Sequence, residues 1–172
     1  MLIERIEPVD KKRKLIQLDS GESFVLYVGE IRLLRLEENK ELQPEIYDRI
    51  LKTVLPKRAK LRVMNLLKTR PYTEYQLTKK LKDGGYPDEV ILIAIEYVKS
   101  YGYVNDKQYA IDYIRSQAKN RSKKELYMKL QQKGIHATIN KYGRGGLVDE
   151  VTSGIEETRR VGSSNRVNRL FR

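Results

Sequence analysis

Apolar positions in this chain recur in two rhythms. Near the N-terminus the spacing is short. Ile3, Ile6 and Val9 lead into Leu15-Ile16-Gln17-Leu18, and Ser23-Phe24-Val25-Leu26-Tyr27 follows. Short runs of β-branched and aromatic residues bounded by turn residues read as strands. Asp10-Lys11-Lys12-Arg13-Lys14 is turn-like and basic, and Asp19-Ser20-Gly21-Glu22 has good hairpin-turn chemistry. Residues 1–36 therefore predict a small antiparallel sheet, which needs a helix to pack on. Gly29 to Leu36 fits either a strand or a short helix. Pro44 to Leu55 reads as an amphipathic helix, with Ile46, Ile50, Leu51 and Val54 on one side and Pro56 as its end.

From Pro56 onward the rhythm is helical. Arg58, Arg62, Asn65 and Thr69 fall on one polar stripe, while Ala59, Val63, Leu66 and Leu67 form the expected core side. Thr73 can cap a second helix, and Gln76 stands where a capping box needs Glu or Gln. Leu77 and Leu81 share a face, and Gly84-Gly85 suits a left-handed helix stop. Pro87 suits the first position of a third helix, which runs to Tyr101 and is apolar almost all round. Such a helix is expected to be buried between both flanking units. Gly102 ends it, and Asn105 with Gln108 opens another.

These signals repeat. A shift of 49 residues places Thr73 on Ser122, Gln76 on Glu125, Leu77 on Leu126, Leu81 on Leu130, and Gly85 on Gly134. Start, apolar pair and stop all recur in register, which predicts tandem helical units. The register carries Val90 onto Ile139 and then fades. Asn140 to Gly146 holds three glycines in four positions, a poor helix interior. The predicted organisation is a β-hairpin plus helix over residues 1–55, a first three-helix repeat over 56–104, and a second, incomplete repeat over 105–142. A basic, Gly/Ser/Arg-rich tail over 143–172 is expected to be poorly ordered, with at best a short helix near Leu147–Glu157. The fold class is mainly α: tandem three-helix repeats in an elongated rod, with a small N-terminal antiparallel β element.

Charge sharpens the picture. The chain has 172 residues and a net charge of +12. Residues 1–56 have a balance of −1, residues 57–135 of +10, and residues 136–172 of +3. A segment this basic attracts polyanions. Three groups carry it. Arg58 and Arg62, with Lys57 and Lys60, lie on the first helix after Pro56. Lys79, Lys80 and Lys82 lie on the Thr73 helix. Arg115, Lys119, Arg121, Lys123, Lys124 and Lys129 surround the start of the Ser122 helix. The plain alternative for each group is a solvated face. The last group is the densest, and the adjacent helix N-terminus adds positive potential of its own. Twelve Tyr accompany the basic residues. Rings beside cations could stack on bases, or they could be packing residues with a wet hydroxyl; Tyr109 and Tyr113 look like core.

The chemistry of catalysis is not legible here. There is no Cys and one His, His136, just past a helix stop. No phosphate loop, metal-spaced cluster or nucleophile–base pair appears. No run approaches the roughly 18 apolar residues of a membrane span. The expectation is a cytoplasmic, monomeric, non-enzymatic binding protein without a cofactor.

Arg70-Pro71-Tyr72-Thr73-Glu74-Tyr75-Gln76-Leu77, Leu81-Lys82-Asp83-Gly84-Gly85-Tyr86, Tyr101-Gly102-Tyr103-Val104-Asn105-Asp106 with Tyr109-Ala110, and Glu125-Leu126 before Leu130-Gln131-Gln132-Lys133-Gly134-Ile135 together resemble the RecX family. The N-terminal segment is similar to the β-containing extension of Gram-positive members. The resemblance implies a string of three-helix units. It also implies binding in the groove of the RecA recombinase filament on DNA, with inhibition as the usual effect and no catalytic residues. A rival reading is a sequence-independent basic DNA-binding module acting without the recombinase. The third helical unit usual in the family is not recognisable. A truncation or a change of reading frame near Gly134–Gly143 would account for the shift in composition; translating the other frames of the coding DNA tests this.

Overall fold

The computed structural model describes residues 1–136 and 146–169. The register match at Ile139 and the glycine-rich stretch up to Gly145 lie outside the described residues. Three strands, β1 (Ile3–Pro8), β2 (Arg13–Leu18) and β3 (Ser23–Tyr27), form one antiparallel sheet in the order β1-β2-β3. Both turns form as their residues predict. The Asp10 carboxylate accepts the Lys12 and Arg13 N–H groups, each at 2.8 Å. Gly21 takes φ +84° in the β2–β3 hairpin.

Among the described residues eight α-helices follow: α1 (Val28–Leu33), α2 (Pro44–Arg49), α3 (Leu55–Thr69), α4 (Glu74–Lys82), α5 (Asp88–Ser100), α6 (Asp106–Gln117), α7 (Lys123–Gln132) and α8 (Gly146–Arg169). The ambiguous Gly29–Leu36 stretch resolves mainly into α1. Pro56 does not end the Pro44 helix. A π-helical turn, Ile50–Val54, joins α2 to α3, and the Leu55 N–H bonds the Ile50 carbonyl. Pro56 lies in the first turn of α3, where a proline needs no N–H partner, and the wider turn before it keeps the chain helical. Pro87 caps α5 one residue earlier than its predicted position.

The chain divides into two compact units. The first holds Met1–Arg70 and Leu77–Tyr103; the second holds Pro71–Gln76 and the chain from Val104 onward. In the first, Ile16, Leu18, Phe24 and Leu26 of the sheet are buried, as are Ile50, Leu55, Ala59, Val63, Leu77, Leu81, Val90, Ala94 and Val98 of the helices. The main helical contact there is α3 against α5. The expectation that α5 is buried all round fails: Leu92 is 62% exposed and Ile93 41%. Val90, Ile91, Ala94, Ile95 and Val98 fill the stripe that one packing partner can cover, and Leu92 and Ile93 lie beyond it.

In the second unit, Ala110, Ile114, Leu126, Leu130, Ile135, Leu147 and Val148 form one core. The short helix expected near Leu147–Glu157 lies within α8. Leu147 and Val148 of α8 are buried in this core, and the Thr152 hydroxyl donates to the Val148 carbonyl. α8 starts nine residues later than the 49-residue register places it.

Candidate nucleic-acid and partner interface

The basic groups are carried by helices with matched starts and stops. At α4, the Gln76 N–H donates to the Thr73 hydroxyl at 3.2 Å, and the Gln76 side chain accepts the Thr73 N–H at 3.3 Å. At α7, the Glu125 N–H donates to the Ser122 hydroxyl at 3.3 Å, and the Glu125 carboxylate accepts the Ser122 N–H at 2.8 Å. These are the two capping boxes the repeat predicts. The stops match as well. Gly85 (φ +75°) precedes a Tyr86 N–H bond to the Leu81 carbonyl, and Gly134 (φ +83°) precedes an Ile135 N–H bond to the Leu130 carbonyl. Both are Schellman turns. The Thr73 and Ser122 segments thus share one local structure.

That framework sets where the cations point. On α4, Leu77 and Leu81 are fully buried, so Lys79 projects from the opposite side and Lys80 from a flank. Lys82 pairs with Asp88 at 3.1 Å. On α7, Leu126 and Leu130 face the core, which turns Lys124 outward beside exposed Met128. Lys129 is also exposed, roughly 140° around the helix from Lys124. Lys123 pairs with Asp149 of α8 at 3.1 Å. The Arg121 Nε–H donates to the Gln117 side chain at 3.2 Å. Arg115 and Lys119 are exposed at the end of α6. Within the second unit the dense group therefore surrounds the α6–α7 turn instead of forming one narrow ridge. The Ser122 N–H above all, then the Ser122 hydroxyl and the charges of Arg121 and Lys129, hold the Glu125 carboxyl below its ordinary range.

Arg58 leaves the group. Its side chain is only 15% exposed, pairs with Glu30 at 2.7 Å, donates to the Val25 carbonyl at 3.3 Å, and lies 4.4 Å from the Tyr27 ring centre. The stripe it shares with Arg62 faces the sheet at this turn, so Arg58 ties α3 to α1 and β3 within the first unit. Arg62 is exposed. Two other cations went unmarked in the sequence. Lys133 covers Tyr109 and Tyr113 at 5.7 and 5.3 Å, and Lys107 joins Arg115 and Glu150 along an open groove of about 670 Å³ between α6 and α8. The groove depends on α8, which the 49-residue repeat did not place.

Among the described residues no group of His, Cys, Asp or Glu is placed to hold a metal ion, and no helix is long and apolar enough to cross a membrane. Fold and faces together define a helical-repeat protein whose exposed chemistry is cationic. Comparison with known proteins takes the class further. Residues 59–97, spanning most of α3 to α5, match the family model for the first three-helix domain of RecX. The regulatory protein RecX of Caldanaerobacter subterraneus is 32% identical over 141 residues, covering 81% of this chain and 72% of that protein. The regulatory protein RecX of Finegoldia magna is 30% identical over 142 residues, covering 81% and 69%. A crystal structure of a regulatory protein RecX shares the fold at a TM-score of 0.53, with 23% identity over 90% of this chain and 73% of the other. The chain belongs to the RecX family of regulatory proteins.

Proposed function

We propose that this protein regulates the RecA recombinase by binding its filament on DNA, and that the effect is inhibition. It acts in the cytoplasm as a monomer, by occupancy and not by catalysis. Its repeats lie along the filament groove and hinder extension or partner entry. The observation that carries this reading is the set of exposed cations, Arg62, Lys79, Lys80, Arg115, Lys119, Lys124 and Lys129, held on α3, α4, α6, α7 and the α6–α7 turn of a segment with a balance of +10. A polyanion meeting them releases counterions, and binding then falls steeply with salt. Lys82, Lys123 and Arg121 stand beside this set with partners of their own. Arg58 supports the fold.

The test compares binding to naked single-stranded DNA with binding to the same DNA coated by RecA and nucleotide, across a salt series. Tighter binding to the coated form, with loss of strand exchange, is expected. Lys124→Glu with Lys129→Glu should weaken binding and flatten the salt slope by about one unit per lost phosphate contact. An unchanged salt titration removes these lysines from the site. Preference for naked DNA overturns the recombinase reading in favour of a DNA-binding module acting alone.

A further inference from the structure

The three helix stops are built alike, but one of them is left open. After α5, Gly102 takes φ +70°, its N–H bonds the Lys99 carbonyl at 2.9 Å, and the Tyr103 N–H bonds the Val98 carbonyl at 3.0 Å. In such a turn the residue after the glycine folds back and normally buries an apolar side chain. At the end of α7 it does so: Ile135 is 1% exposed. At the end of α5 the same position holds Tyr103, which is 52% exposed, and the residue before the glycine is Tyr101, 62% exposed. The turn brings these two rings nearly parallel, 15° apart in plane with centres 5.8 Å apart. Tyr97 meets the Tyr101 ring edge-on at 5.0 Å, and Lys60 lies 4.8 Å from the centre of the Tyr97 ring. Glu96, on the same helix, is paired with Lys99 at 3.5 Å.

We propose that Tyr101 and Tyr103 form a stacking shelf for the bases of single-stranded nucleic acid, braced by Tyr97, with Lys60 positioned for the adjoining phosphate. Large open rings beside a cation match the two needs of such a strand, a π-face for each base and positive charge for the backbone. A duplex keeps its bases stacked on each other and does not fit. The shelf deepens the nucleic-acid side of the proposed function, and its test uses no recombinase, so the two readings fail separately.

The chain has no Trp, so its intrinsic fluorescence comes from tyrosine and stacking can be read directly. Titration with a short oligothymidylate should quench tyrosine emission to saturation, while duplex DNA of equal length should not. Replacing both rings, Tyr101→Leu with Tyr103→Leu, should lower affinity by about tenfold per ring at an unchanged salt slope. Tyr101→Phe with Tyr103→Phe should keep the affinity. Lys60→Gln should flatten the slope. An oligonucleotide bearing 5-iodouracil should photocrosslink wild-type protein at Tyr101 or Tyr103, a readout that needs no variant. Unaltered affinity in the Leu variant, an equal loss in the Phe variant, or crosslinks confined to other positions would each overturn the shelf.

Discussion

α4 and α7 share a start, an apolar pair and a stop, yet each stop glycine serves a different neighbourhood. A side chain at Gly85 would meet the Val25 methyl of β3 at 2.4 Å. One at Gly134 would meet the Tyr75 Cβ at 2.2 Å and its ring at 2.4 Å. At Gly102 it would meet nothing within 4 Å. The glycines share a backbone requirement, a positive φ. What differs is whether the stop is also a packing surface. In the first unit the sheet seats on it. In the second, the Pro71–Gln76 segment does, and the Thr73 hydroxyl donates to the Lys133 carbonyl at 2.6 Å beside it. Local turn chemistry can thus be copied along a chain while the contact it supports is chosen anew.

The largest effects should come from the apolar pairs. Leu77→Ala and Leu126→Ala each empty a fully buried site and should cost about 2–5 kcal/mol by chemical denaturation. Similar losses would mean that the two units rest on their pairs alike; a much smaller loss for Leu126 would show that the second unit collapses around the cavity more readily.

The glycine series separates strain from crowding. Gly102→Ala should cost only the left-handed penalty, about 1–2 kcal/mol. Gly134→Ala should cost about 1–3 kcal/mol more, because it meets the rigid Cβ of Tyr75, and Gly85→Ala an intermediate amount, because the Val25 methyl can shift. Equal melting temperatures for all three variants would erase the distinction.

The caps should differ less. Ser122→Ala should cost about 1 kcal/mol. Thr73→Ala should cost somewhat more, since it also leaves the Lys133 carbonyl without its hydroxyl donor. Thr73→Ser should recover most of the loss.

The smallest effect is in pH. The α4 box uses neutral Gln76, while the α7 box uses Glu125, whose carboxyl is lowered from its ordinary value of 4.5. A lowered carboxyl stabilises the folded state above the ordinary value and stops doing so as pH falls through the folded one. Glu125→Gln gives α7 the chemistry of α4. Its stability difference from wild type should therefore shrink below about pH 4.5 in acid titrations, and a constant difference would mean the charge is immaterial.

Much of this was written in the residues themselves. Helix starts and stops are local: a hydroxyl caps within three residues, and a left-handed turn needs a glycine whatever surrounds it. The 49-residue repeat, both capping boxes, the hairpins and the buried leucine pairs were therefore legible, and so was the cationic character of the middle segment. Tertiary structure decided the rest, because those features depend on partners distant in sequence. Pro56 stayed within a helical path because a π-helical turn made room for it. Arg58 looked like a surface cation until Glu30 and Tyr27, some thirty residues earlier, surrounded it. The repeat alone did not place α8, which begins nine residues beyond the position its register gives. Two open tyrosines, Tyr101 and Tyr103, stood in plain view as Tyr-Gly-Tyr. Only the fold determined that their rings stay uncovered, since burial is set by whichever surface arrives to pack, and no periodicity within the chain specifies that.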